Sequence, residues 1–344
     1  MDPGMGKTGT ATGAIPTTMR AMVQERYGAA RDVLEPREVP VPDVDDHEVL
    51  LRVHSSSINA LEWHLINGKP YVFRPVFGLS PRNATPGADV SGTVVEVGPA
   101  VTEFEVGDQV FGDIEAGAYA EYAKTDEQHL ASKPESVGFE EAAAVGVAGL
   151  TALQGLRDVA GIEPGQSVLV NGASGGVGTY AIQVAKALGA EVTAVCSTRN
   201  VDQAHELGAD QVLDYKREDV TETDQSFDIM FDIPGNHTIG DCKRLVTPGG
   251  IYVMVGGPKG DWTGPLLRLI GGKFVFAFGA EREANFTAEP RANDLATLGD
   301  WLASGRVRSV IEDIVPLADI ADPLDRQGRF HARGKTVVRV EGGI

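Results

Sequence analysis

A chain of 344 residues is long for one domain and comfortable for two, and 42% hydrophobic with 23% charged residues is the composition of an ordinary folded protein. The formal charge of −19 argues against a nucleic acid or an anionic membrane as partner, because both attract lysine and arginine. Two cysteines, and the lack of any run of about 18 apolar residues, set aside a disulfide framework and a spanning helix.

Residues 1–18 are rich in Gly, Thr and Ala without an apolar stretch, so they read as a disordered extension rather than a signal peptide, and a cytoplasmic address follows by default. To about Ala142 come short β-rich runs broken by Gly, Pro and Asp: Glu48 to His54, Asp89 to Val97, Gln109 to Phe111 and Tyr119 to Ala123. One helix-like segment, Asn59 to Ile66, interrupts them. The rhythm then changes to apolar runs at Ser167 to Asn171, Glu191 to Cys196, Gln211 to Asp214, Phe227 to Asp232, Ile251 to Val255 and Lys273 to Phe278, separated by helical or turn-forming stretches. Such alternation implies parallel pairing through right-handed crossovers, with the last run as the exposed edge strand. After Glu283 a helix-like stretch, Arg291 to Ala303, leads to runs at Val310 to Val315 and Thr336 to Val340. The class is therefore α/β: a mostly-β substrate domain over 19–142 and 284–344, with a doubly wound nucleotide domain inserted over 143–283.

The strongest motif is Asn171-Gly172-Ala173-Ser174-Gly175-Gly176-Val177-Gly178, which follows the apolar strand Val168-Leu169-Val170 and opens a helix. Glycines at 172, 175 and 178 let the backbone turn sharply, approach a pyrophosphate and pack the helix on its strand. The strand, loop, helix, strand context makes Gly172, Ser174, Gly175, Gly176 and Val177 candidate dinucleotide contacts. An NAD-specific sheet carries an acidic residue at the tip of the second strand to hold the ribose 2′-hydroxyl. Here the tip reads Ser197, Thr198 and Arg199, two hydroxyls and a guanidinium suited to a 2′-phosphate, and Tyr215 ends the third strand with a phenol. NADPH is thus expected rather than NADH. Val255 and Gly256, ending the fifth strand, are placed at the nicotinamide side.

Taken together, Pro86-Gly87-Ala88-Asp89-Val90-Ser91-Gly92, Gly107-Asp108-Gln109-Val110-Phe111-Gly112, Ala148-Gly149-Leu150-Thr151-Ala152, the phosphate loop and the closing Ala332-Arg333-Gly334-Lys335 resemble the medium-chain dehydrogenase/reductase superfamily. The resemblance is to its zinc-free quinone oxidoreductase and enone reductase branch, over about Arg20 to Val340. It implies a GroES-like substrate domain, a Rossmann nucleotide domain, and a homodimer paired through the sheet edge. It further implies cofactor contacts from Thr151 and Lys335. Zinc-dependent members would carry a cysteine near position 59 and a His-Glu pair after Gly87; this chain has Asn59 and Ala88-Asp89, so no metal site is expected.

Without a Lewis acid, a quinone or α,β-unsaturated carbonyl is the better hydride acceptor, because its charge delocalises onto an oxygen that ordinary donors stabilise. Asn59, His64 and Tyr71 are the candidate catalytic residues: Asn59 to orient nicotinamide or substrate, His64 to donate a proton near neutrality. Two other readings stay open from the residues: a zinc-independent NADP alcohol or aldehyde oxidoreductase, and a protein that binds NADPH without turnover.

Overall fold

The computed structural model describes residues 14–71, 78, 80–257, 264–277, 279–328 and 332–340. Most of the expected N-terminal extension, residues 1–13, lies outside the described residues, and regular structure starts at Thr18. The chain opens with an antiparallel hairpin of β1 (Thr18–Val23) and β2 (Glu35–Pro40). It then lays down β3 (Glu48–Ile58), β4 (Asp89–Val97), β5 (Gln109–Asp113), β6 (Tyr122–Asp126) and β7 (Leu130–Ser132). Strand β3 is central, pairing with both β4 and β6, and accordingly Val49, Leu50 and Leu51 are all buried in succession. The helix Ala60–Asn67 leaves its end: Glu62 Oε2 accepts the Asn59 backbone N–H at 2.9 Å, and Gly68 stops the helix in the left-handed region at φ 62.

After the helix Gly146–Gln154 come β8 (Ser167–Asn171), β9 (Glu191–Cys196), β10 (Gln211–Asp214), β11 (Phe227–Asp232), β12 (Val246–Met254) and β13 (Arg282–Asn285). They form a parallel sheet in the order β10-β9-β8-β11-β12-β13, and the order reverses between β8 and β11. A ligand of such a sheet lies beyond the carboxyl ends of its strands at that reversal. There Asp232, fully buried, holds the two strand ends together: its Oδ1 accepts Asn171 Nδ2 at 2.8 Å and Gly235 N at 3.1 Å, while Oδ2 accepts Tyr252 Oη at 2.8 Å and Arg268 Nη2 at 2.9 Å.

One expectation is corrected here. The run Lys273 to Phe278 is not the edge strand; Gly264–Phe276 is a helix, and the edge is the polar strand β13, Arg282-Glu283-Ala284-Asn285. Phe278 lies outside the described residues. A short apolar run does not distinguish a strand from a packed helix. What decides is tertiary: the helix carries Arg268 to Asp232 and stacks Phe276 on Tyr252 with centroids 5.5 Å apart.

The chain then returns to the first sheet with β14 (Ile311–Pro316) and β15 (Lys335–Arg339), completing the order β14-β15-β3-β4-β5-β7 with β6 on the other end of β3. Because β15 pairs with β3 at Ser55 to Ile58, the last strand runs beside the start of the helix at Asn59. Among the described residues no helix is long and apolar enough to cross a membrane.

Candidate active site

The phosphate loop joins β8 to the helix Gly176–Ala187, whose Tyr180, Ala181, Val184 and Ala185 are buried. Gly178 is demanded by packing, since a Cβ there would lie 2.2 Å from the Gly172 carbonyl oxygen and 2.7 Å from Ala173 Cα. Gly175 is different: among the described residues a Cβ would meet nothing closer than the Gly172 oxygen at 3.8 Å, so its bareness leaves an open face at the helix start. Backbone N–H groups at that start, with the positive end of the helix dipole, suit a pyrophosphate. The loop therefore fits a dinucleotide, with Ser174, Gly175, Gly176 and Val177 on the half-buried side.

Beneath the loop lies a buried polar cluster built from distant parts of the chain. Asp89, at the start of β4, is fully buried; its Oδ1 accepts the Val147 N–H at 2.7 Å, at the first turn of the helix that carries Thr151. Its Oδ2 accepts Asn59 Nδ2 at 2.9 Å, Lys335 Nζ at 2.9 Å and the Ser57 hydroxyl. The Lys335 ammonium also donates to Asn59 Oδ1. Its stem crosses the phosphate loop, where a Cβ on Gly176 would meet Lys335 Cδ at 2.9 Å. Glu62 closes the cluster, accepting Ala88 N at 3.1 Å, and burial next to Asp89 pushes its carboxyl up to about 7 although Lys335 opposes the shift. Asp113 is pushed up to about 6 by burial, then by Asp89. One ammonium thus serves three buried carboxyl groups, and the cluster holds protons that exposed acids would lose.

The candidates do not all converge. Asn59, Thr151, Lys335 and the loop come together, but both hydrogen-bonding ends of the Asn59 amide are spent inside the cluster. Thr151 donates its hydroxyl to Val147 O at 2.7 Å within its own helix. His64 faces the far end of its helix, with Nδ1 3.1 Å from the Lys69 carbonyl; burial holds its pKa below the ordinary value. A carbonyl only accepts, so Nδ1 carries the proton and a neutral ring presents a bare Nε2, an arrangement that disfavours the proton-donor role. Tyr71 lies just beyond, its ring 5.7 Å from Lys69 Nζ. At the second strand's tip, the Thr198 hydroxyl donates to Asp214 Oδ2 at 2.6 Å, Ser197 is half-buried, Arg199 is exposed, and Tyr215 is 46% exposed beneath Lys216. Val255 continues from β12 by an N–H bond to Asp232 O at 3.0 Å; a Cβ on Gly256 would lie 2.2 Å from Ile233 O, so that glycine is already required by the protein's own backbone.

Residues 45–188 match the family described as alcohol dehydrogenase GroES-like domain, and residues 207–338 the family described as zinc-binding dehydrogenase. A chloroplast envelope quinone oxidoreductase homolog of Arabidopsis thaliana is 33% identical over 335 residues, 93% of this chain and 98% of its own length. The chain belongs to the medium-chain dehydrogenase/reductase superfamily. An NADPH-dependent alkenal/one oxidoreductase of the same plant is 31% identical, covering 96% of this chain and 81% of that one. The quinone oxidoreductase from Coxiella burnetii superposes with a TM-score of 0.84 at 28% identity, over 94% of this chain and 99% of that one. Within this oxidoreductase superfamily the chain falls in the quinone oxidoreductase and enone reductase branch, with a GroES-like domain and a Rossmann nicotinamide-dinucleotide domain.

For a medium-chain dehydrogenase/reductase the cluster raises the question of zinc directly. Where a zinc-dependent member carries a cysteine and a His-Glu pair, this chain has Asn59 and Ala88-Asp89, with the Lys335 ammonium between Asn59 and Asp89. A fixed cation repels a second one and an amide is a poor zinc ligand, so these residues do not fit zinc. Among the described residues no group of three His, Cys, Asp or Glu side chains is gathered to hold a metal. Asp89 as the centre of the site was not legible beforehand, because its partners Asn59, Val147 and Lys335 lie 30, 58 and 246 positions away.

Proposed function

We propose that this protein reduces a quinone or an α,β-unsaturated carbonyl with NADPH and without zinc. The observation that carries the reading is the Lys335 ammonium fixed between Asn59 and Asp89, which fills with protein charge the place where zinc-dependent relatives bind metal. An acceptor that spreads its own developing charge onto an oxygen needs less from the site than a simple alcohol does. NADPH, when bound, supplies the hydride. Ser174, Gly175, Gly176 and Val177 hold its pyrophosphate, the tip from Ser197 to Arg199 takes the ribose end, and Thr151, Val255 and Gly256 border the nicotinamide side. Asn59 acts as part of the floor and keeps the cluster rigid, and the proton that completes the reduction comes from solvent rather than from His64. The names of the plant alkenal/one reductase and the quinone oxidoreductases support this substrate class.

The same reading takes the enzyme as a homodimer. Among the described residues strand β13 is the open edge of the nucleotide sheet, and on the neighbouring helix Ile270 is 59% and Phe274 is 70% exposed, a surface that pairing would cover. The loss of reduced-cofactor absorbance, followed with a panel of quinones and enones and with NADPH and NADH in parallel, tests the function. Turnover of at least one acceptor with NADPH, by protein that metal analysis finds free of stoichiometric zinc, is the expected result. Tight cofactor binding without turnover of any acceptor, or turnover of simple alcohols with NADP alone, overturns it.

A further inference from the structure

The segment that closes the first sheet does more than pair with β3. Gly334 docks on the phosphate loop, with its N–H bonded to Ser174 O at 2.8 Å and a parallel bridge to Gly175. One residue earlier, Arg333 reaches the other way. Its backbone N–H is fixed by Glu312 Oε2 at 2.8 Å, and its Nε donates at 2.6 Å to Oε1 of Gln203, a buried residue in the helix Val201–Glu206 that starts just after the tip of β9. Arg333 therefore spans from the pyrophosphate loop to the strand tip, the two supports between which the adenosine ribose of a dinucleotide lies. Its side chain is exposed, and neither terminal guanidinium nitrogen has a partner among the described residues.

The strand tip needs such a cation. Of the groups expected to greet a 2′-phosphate, the Thr198 hydroxyl is spent on Asp214, whose buried carboxylate also pairs with the exposed Arg217 at 3.4 Å, so that neither the hydroxyl nor that guanidinium is left to an anion. A second observation points to a ribose: Asn200, 2% exposed in the turn between Arg199 and Val201, has a side-chain carbonyl oxygen with no hydrogen-bond partner among the described residues, an acceptor that a ribose hydroxyl satisfies.

We propose that Arg333, contributed by the substrate domain's closing segment, is a specificity-determining residue that clamps the 2′-phosphate opposite Arg199. A guanidinium held at Nε keeps its two terminal nitrogens side by side, the fork that matches two phosphate oxygens. The preference for the phosphorylated dinucleotide is then set jointly by the two domains rather than by the nucleotide domain alone. This rests on the NADPH reading above.

The test is equilibrium binding of NADPH, NADH, 2′,5′-ADP and 5′-AMP to the full-length protein and to Arg333→Gln and Arg333→Lys, with thermal melting to show that the fold is kept. In Arg333→Gln the dissociation constants of NADPH and 2′,5′-ADP rise roughly ten- to a hundredfold, the worth of a charged hydrogen-bonded contact, while those of NADH and 5′-AMP hold. Arg333→Lys, which keeps the charge and loses the fork, falls between. If NADPH and NADH weaken together, or neither weakens, the assignment of Arg333 is overturned while the cofactor reading stands. If the unmutated protein binds NADH as tightly as NADPH, the cofactor reading itself fails and takes the assignment with it.

Discussion

Replacing Lys335 with methionine removes the ammonium from the buried cluster while keeping most of the side-chain volume over Gly176, so the change isolates charge from packing. Lys335 is 2% exposed and Asp89 is fully buried, so Lys335→Met strands a carboxylate that water does not reach. Breaking a buried pair from one side costs about 3–5 kcal/mol. The Asn59 carbonyl oxygen loses its donor as well, adding on the order of 1 kcal/mol. A loss of about 5 kcal/mol is a large part of the 5–15 kcal/mol that holds a typical domain, so the variant folds with a much lower urea midpoint. The assay is urea denaturation of the wild type, Lys335→Met, Asp89→Asn and the double variant at fixed pH. Because the two residues touch, the double variant costs less than the sum of the singles by about 2 kcal/mol. A single-variant cost below about 1 kcal/mol, or strict additivity, refutes the view that this pair organises the site.

The pH dependence follows from the same cluster. Glu62 at about 7 and Asp113 at about 6 keep their protons longer when folded than their ordinary values of 4.5 and 3.8 allow. The folded state thus binds more protons across that window, and stability falls as pH rises from about 4 to about 7, then levels; Glu62→Gln flattens the upper part of this decline in urea melts at several pH values, and an unchanged slope contradicts it. Gly178→Ala forces a methyl against the Gly172 carbonyl and the Ala173 backbone, so NADPH affinity measured by fluorescence titration falls at least about tenfold while circular dichroism shows the fold retained. Burial pushes the Cys196 thiol up to about 11 and the Cys242 thiol up to about 12, so a disulfide-exchange reagent at pH 8 labels the folded protein far more slowly than the urea-unfolded one; prompt labelling of both in the native state would count against their burial.

Local patterns in the chain were enough for what depends on neighbours. The apolar runs of β8 to β11, the glycine loop after β8 and the absence of an acidic residue at the β9 tip are all visible within a dozen residues, because strand period, turn geometry and phosphate approach are short-range demands. The same holds for the helix after Asn59, whose cap and stop lie within its own segment. Long-range meetings decided the rest. Lys335 meets Asn59 and Asp89 across 276 and 246 positions, so its place as the buried counter-charge of Asp89 has no local signature. The helix Gly264–Phe276 took the place of an expected strand because Asp232 and Tyr252 offered it partners, a choice that hydrophobicity alone leaves undetermined. Periodicity reports which face of an element is buried; only packing reports what it is buried against, and in this protein the charge balance of the site is written in those contacts.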